Sequence, residues 1–114
     1  MVKKISTLNA EHYTWGEVCD GWHLVKRSSL SVIKEQMPPG AAEVSHLHRR
    51  ARQFFYILSG VVVIEIEGLS VDLGPGEGLE IARGVAHQVK NQSSVDVEFL
   101  VISQPHSHGD REIV

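Results

Sequence analysis

No stretch of this chain carries the 3.6-residue apolar period of an amphipathic helix. From Leu30 to Ser103 it is a series of short runs in which side chains alternate with a period of two. In a strand that period sends successive side chains to opposite faces. Ser31–Met37 sets Ile33, Glu35 and Met37 against Val32, Lys34 and Gln36. Gln53–Ser59 sets Gln53, Phe55 and Ile57 against Phe54, Tyr56 and Leu58. Val62, Ile64 and Ile66 share a face of the next run, and Leu69, Val71 and Leu73 a face of the one after it. Leu79–Ile81 is a short run, and Val95, Val97, Phe99 and Val101 form the inner face of the last. Pro38-Pro39-Gly40, Gly60, Gly68 and Gly74-Pro75-Gly76 punctuate the series as turns. Seven or eight short strands at regular spacing predict an all-β sandwich or barrel, and the pattern alone does not choose between them.

Two histidine-bearing stretches add chemistry to this frame. In the first, Gly40 is followed after five residues by His46-Leu47-His48, then by Gln53 and Gly60. Two histidines at i and i+2 of a strand leave the same face, with Cα atoms about 6.6 Å apart. Imidazole nitrogens bind a metal at about 2.0–2.1 Å, so two rings leaning together can share one ion. The second stretch runs Gly76, Ala82, Arg83, Gly84, His87, Asn91, with His87, Val89 and Asn91 on one face.

Together the two stretches resemble the paired motifs of the cupin family, G-x5-H-x-H-x3,4-E-x6-G and G-x5-P-x-G-x2-H-x3-N. The chain departs from them at Gln53, where the family has Glu, and at Ala82, where it has Pro. The resemblance spans about Leu30 to Ser103. It implies a double-stranded β-helix, or jelly-roll, barrel over 30–103. Residues 1–29 are then a segment packing on the barrel or on a partner subunit, and 104–114 a C-terminal tail. Within the first segment, Gly16–Asp20 and Trp22–Lys26 read as short strands broken at Gly21, and His12 and His23 read as surface or packing histidines.

Carried over residue by residue, the resemblance makes His46, His48, Gln53 and His87 the ligands of one divalent transition metal: Fe, Mn, Ni, Zn or Cu. Burying three unpaired imidazoles for packing alone is unfavourable. Gln53 is a neutral donor that either coordinates or stands back to hydrogen-bond a ligand. With no carboxylate in the set the site is electropositive, which favours a small anionic ligand that chelates the metal. Three-histidine cupin sites occur among thiol and diketone dioxygenases, so the resemblance implies a metal-dependent, dioxygenase-like enzyme. A non-catalytic metal or small-ligand module, and a sugar isomerase or epimerase, are the alternatives. Glu35 is the candidate catalytic residue, a general base if the face of Ile33 and Met37 lines the barrel interior. Arg49, Arg50 and Arg52 read as a solvated turn or as a gate for an anion. His106-Ser107-His108 reads as part of a solvated tail.

Charge and composition narrow the partners. A formal net charge of −3 argues against an electrostatic grip on nucleic acid or an anionic membrane. Cys19 is the only cysteine, so no intrachain disulfide forms, and a reducing compartment is the natural expectation. No apolar run approaches the ~20 residues of a membrane span, and the basic Met1-Val2-Lys3-Lys4 leads into polar sequence. The expected location is the cytoplasm. The runs Phe54–Leu58 and Val61–Ile64 are apolar on both faces, as in a strand covered on both sides. That predicts a cover for the outer face, and a homodimer supplies one.

Overall fold

The structure, a computed structural model, describes residues 2–114. The alternating runs become β3 (Ser31–Met37), β4 (His46–His48), β5 (Arg52–Ser59), β6 (Val62–Ile66), β7 (Leu69–Leu73), β8 (Gly78–Ile81), β9 (His87–Lys90) and β10 (Val97–Gln104). Before them come β1 (Glu11–Trp15) and β2 (Cys19–Lys26), and after them β11 (Arg111–Ile113). One antiparallel sheet has the order β1-β2-β3-β10-β5-β8, the other β11-β4-β9-β6-β7. The two sheets form the all-β double-stranded β-helix expected from the sequence. No helix occurs among the described residues, and hence none long and apolar enough to cross a membrane.

The inner faces meet in one core of Met37, Phe55, Ile57, Val62, Ile64, Ile81, Val89, Val97, Phe99 and Val101. These are the positions that the period of two assigns to one side of each strand. The chain crosses between sheets at Gly60, whose φ of +79° suits glycine, and a Cβ there would lie 2.5 Å from the Asp96 carbonyl oxygen. On the outer face Phe54, Tyr56 and Leu58 stay exposed, beside the partly buried Leu100 and Ile102.

Three expectations change. The first hairpin lies earlier than predicted, with β1 at Glu11–Trp15 and the turn at residues 16–18. Gly21 does not break a strand. It sits inside β2, where the ring of Tyr13 occupies the space a Cβ would need. And 104–114 is not a solvated tail: Arg111 pairs with His48 and Ile113 with His46, so β11 is an edge strand of the second sheet.

Candidate metal centre

β4 carries the site because it is short and pinned on both sides. β11 pairs along one edge, and on the other His46 lies directly opposite His87 of β9. Direct cross-strand partners on one face bring Cβ atoms within about 5.5 Å, and the His46 and His87 ring centroids are 4.5 Å apart. His48, two residues along the same face, adds a third ring 4.9 Å from His46 and 5.9 Å from His87. One ring nitrogen from each of the three lies within 4.8 Å of the others.

Each imidazole is aimed by its other nitrogen. Nδ1 of His46 donates to the Val44 carbonyl at 2.7 Å, Nδ1 of His48 to the Asp110 carbonyl at 2.9 Å, and Nδ1 of His87 to the Val85 carbonyl at 3.0 Å. A proton on Nδ1 leaves the lone pair on Nε2, so three Nε2 lone pairs face the shared space. Burial pushes all three imidazoles below the ordinary histidine range, His46 to about 4, and so keeps them neutral at pH 7.

Gln53 reaches the pocket from the opposite sheet. It lies across from Ser103 on β10, and its Nε2 donates to the Ser103 hydroxyl at 3.0 Å. Its Oε1 is buried with no partner, as is Nε2 of His87. Buried polar atoms without partners are rare in folded proteins. Nε2 of His87 belongs to the three-histidine cluster and Oε1 of Gln53 to a residue of the cavity that His46 and His48 line; both are lone-pair donors of the kind a divalent cation takes.

His46, His48 and Gln53 share a cavity of about 220 Å³ with Glu35, Glu43, Tyr13, Trp15, Phe55, His108 and Arg111. Glu35 does face the barrel interior. Burial, together with the charge of Glu43, pushes its carboxyl up to about 8, against a smaller opposing pull from Arg111. Glu43 rises to about 7, again through burial, while Arg111 and the N–H of Val89 pull the other way.

Sequence reasoning misplaces or misses several of these groups. A strand extended back from His46 with period two puts Val44 on the face of His46 and His48, yet Val44 is 55% exposed. Regular pairing starts only at His46, and the irregular backbone before it turns Glu43 inward, where its carboxylate accepts from Val89 N at 3.2 Å. Arg49, Arg50 and Arg52 do not line the cavity; Arg49 and Arg52 pair on the surface with Glu112 and Glu80, and the exposed Arg50 lies against the buried Asp110 carboxylate. The guanidinium that does line it is Arg111, which has no ion-pair partner among the described residues. His108 packs on Tyr13 and His23 at the cavity wall. The signal for Arg111 and His108 was faint: Gly109-Asp110 marks a turn after which Arg111 and Ile113 alternate.

Comparison with known proteins agrees with this architecture. The family model described as Cupin domain matches residues 33–103. The oxalate-binding protein of Thermotoga maritima is 30% identical over 85 residues, covering 70% of this chain and 70% of that protein. Two solved structures superpose closely. The polyketide cyclase RemF of Streptomyces resistomycificus has a TM-score of 0.86 at 18% identity, covering 100% of this chain and 86% of that one. KdgF of Halomonas sp. has a TM-score of 0.84 at 17% identity, covering 93% and 96%. At such identities the two structures speak to the fold alone.

Proposed function

We propose, on the premise that this chain belongs to the cupin family, that it is a metal-dependent enzyme of the dioxygenase type acting on a small anionic molecule. His46, His48 and His87 would hold one divalent transition metal, with Gln53 as a neutral fourth donor. The observation that carries this reading is the set of three Nδ1–H bonds to backbone carbonyls, which turns three neutral Nε2 atoms onto one point. When bound, the ion supplies Lewis acidity and open positions for a chelating anion, and a redox-active ion also supplies electrons to dioxygen.

The chain's own residues set the rest of the chemistry. Neither the three imidazoles nor Gln53 carries a negative charge, so no ligand cancels the ion's charge and an anion is attracted, opposed only by Glu35 and Glu43 of the same cavity, which burial holds largely or partly protonated at neutral pH. Arg111 adds a second positive group at the cavity wall. Glu35 holds a proton on its carboxyl at neutral pH in the metal-free cavity and is placed to exchange it with a bound molecule. Ile33, Phe55 and Val101 form the apolar wall that excludes water.

The test is elemental analysis of the purified protein, then oxygen consumption with a panel of thiols, diketones and phenols. Oxygen uptake with any of them supports the enzyme. Metal-loaded protein that consumes none supports a second reading, a non-catalytic module that binds a chelating anion. That reading is favoured by the Thermotoga maritima relative, whose name records binding of oxalate, a small chelating dianion. A sugar isomerase would show neither oxygen uptake nor tight anion binding, and would instead interconvert a sugar substrate.

A further inference from the structure

The inner face of the first sheet has a gap beside Glu35. The register sets Tyr13 of β1 against Gly21 of β2, and Gly21 against Glu35 of β3. Residues paired directly across antiparallel strands point to one face, so Tyr13 and Glu35 flank a position with no side chain. Their backbones are two strand spacings apart, about 9.6 Å at ~4.8 Å each. The Tyr13 ring lies in the gap: a Cβ at Gly21 would overlap Cζ of that ring and lie 2.6 Å from its hydroxyl. The phenol is thereby laid across β2 on the side of Glu35. His23 and His108 back the ring, with centroids 5.0 and 6.5 Å away. Tyr13 and Glu35 both line the cavity of about 220 Å³ that His46, His48 and Gln53 share. Both are partly exposed, and neither the phenol nor the carboxyl is sealed within the protein.

We propose that Tyr13 is a ligand-contacting residue of the metal cavity, donating its phenol hydrogen to a ligand oxygen that lies beyond the atoms chelating the metal. The inference rests on the reading of that cavity as a metal site for a small anion, and it names the ligand class. The ligand is a chelating acid extended by a further carbonyl or carboxylate oxygen, rather than a two-carbon chelator. The histidines stand on the second sheet and Tyr13 and Glu35 on the first, so a ligand that meets both sides spans the cavity. The volume leaves room for several water-sized groups beside a chelating end. Both groups on the far side carry protons. Burial, and then the charges of Glu35 and Glu43, raise the phenol above the ordinary tyrosine range, and Glu35 titrates at about 8. Two protonated groups facing one space are matched by an acceptor on the ligand. The rings of His23 and His108 fix the direction in which the phenol offers its hydrogen.

The experiment is calorimetry on Zn²⁺-loaded full-length protein at pH 7 with two probes. Oxalate carries only the chelating carboxylates, whereas 2-oxoglutarate joins a chelating 2-oxo acid to a further carboxylate. Tyr13→Phe deletes one oxygen and leaves the ring over Gly21. It should weaken 2-oxoglutarate binding roughly tenfold, with oxalate affinity and metal content unchanged. Gly21→Ala, whose methyl group displaces the ring, should produce the same selective loss with the phenol still present. The inference is overturned, and the anion-binding cavity left standing, by 2-oxoglutarate affinity unchanged in Tyr13→Phe, by an equal loss for both probes, or by a wild type that binds oxalate alone. Binding of neither probe by fully metal-loaded wild type overturns the reading of the cavity itself and this inference with it.

Discussion

Asp110 holds His48 and the turn beside it at once. Its backbone carbonyl accepts Nδ1–H of His48 at 2.9 Å, while its carboxylate accepts the N–H groups of Arg49, Arg50 and Ala51 at 3.2, 2.9 and 2.9 Å. A residue sixty positions away in the chain thereby fixes the ring orientation at the metal centre and the exit from β4.

Asp110→Ala should therefore destabilise the protein by about 3 kcal/mol, from three lost bonds to a charged acceptor and the buried donors left behind. Burial alone would raise this carboxyl; the three N–H bonds and Arg50 outweigh it and hold it below the ordinary aspartate range. A depressed folded value means that the contribution is complete above the unfolded value, about pH 4, and is lost as pH falls through the folded one. Urea unfolding at pH 7 and at pH 3 should show a wide gap between wild type and variant at the first and a smaller one at the second.

Removing one imidazole leaves two, with Gln53, and an open flank. Wild type should carry about one divalent ion per chain, and His48→Ala well under a tenth of that after dialysis. Asp110→Asn, which leaves the backbone carbonyl in place, should lower metal affinity by less than the ~10–100-fold typical of losing a ligand's supporting bond. Equal metal content in wild type and His48→Ala, by elemental analysis, would remove the case for the site.

Gln53→Glu adds one negative charge beside the ion. At an effective dielectric of about 20, a unit charge at 4 Å is worth on the order of 4 kcal/mol before solvation is counted. The variant should keep or tighten the metal and bind oxalate at least tenfold more weakly, by calorimetry at matched metal content. Unchanged oxalate affinity contradicts an electropositive site.

Glu35 titrates with the opposite sign to Asp110. Its folded value, about 8, lies above the unfolded one, so the folded state holds the proton more tightly. Stability contributed by the protonated form is fully present below about pH 4 and declines as pH rises toward 8. In chelator-treated protein, Glu35→Gln should equal wild type near pH 4 and exceed it increasingly from pH 5 to pH 8, with the gap levelling off above that. Parallel stability curves across that range would place the carboxyl in contact with bulk water.

The outer face of β5 predicts association. Phe54 and Tyr56 stack at 6.4 Å on a face where Leu58 is also exposed, and a second copy would cover them. Light scattering at micromolar concentration should give a dimer for wild type and a monomer for Tyr56→Lys. A wild-type monomer contradicts the pairing.

Much of this molecule was legible from sequence because period two is a local signal. Ile33, Met37, Phe55, Ile57, Val62 and Ile64 fall inside wherever the strand is regular. His46 and His48 followed from the same rule, and His87 from the motif. Glu43 and Val44 did not, because β4 begins only at His46 and the irregular stretch before it exchanges their faces. Arg111, Asp110 and His108 depend on a strand of three residues that is held by pairing with β4 and by the Asp110 bonds, not by its own composition. Gly21 misled for a related reason: its role is to seat the ring of Tyr13 from the neighbouring strand, and that contact is not written in the local pattern.

The place of β10 between β3 and β5 also bears on how the molecule reaches this state. Val101 pairs with Ile33 on one side and with Phe55 on the other. Before that strand docks, β1-β2-β3 is a meander that can form early, and β5-β8 is a separate pair with nothing to join it to the meander. Closure waits on partners far apart along the chain, so the entropy of large loops is lost before their contacts are gained. Folding of this topology belongs on the millisecond-to-second scale, with β10 as the strand whose arrival turns two fragments into one sheet.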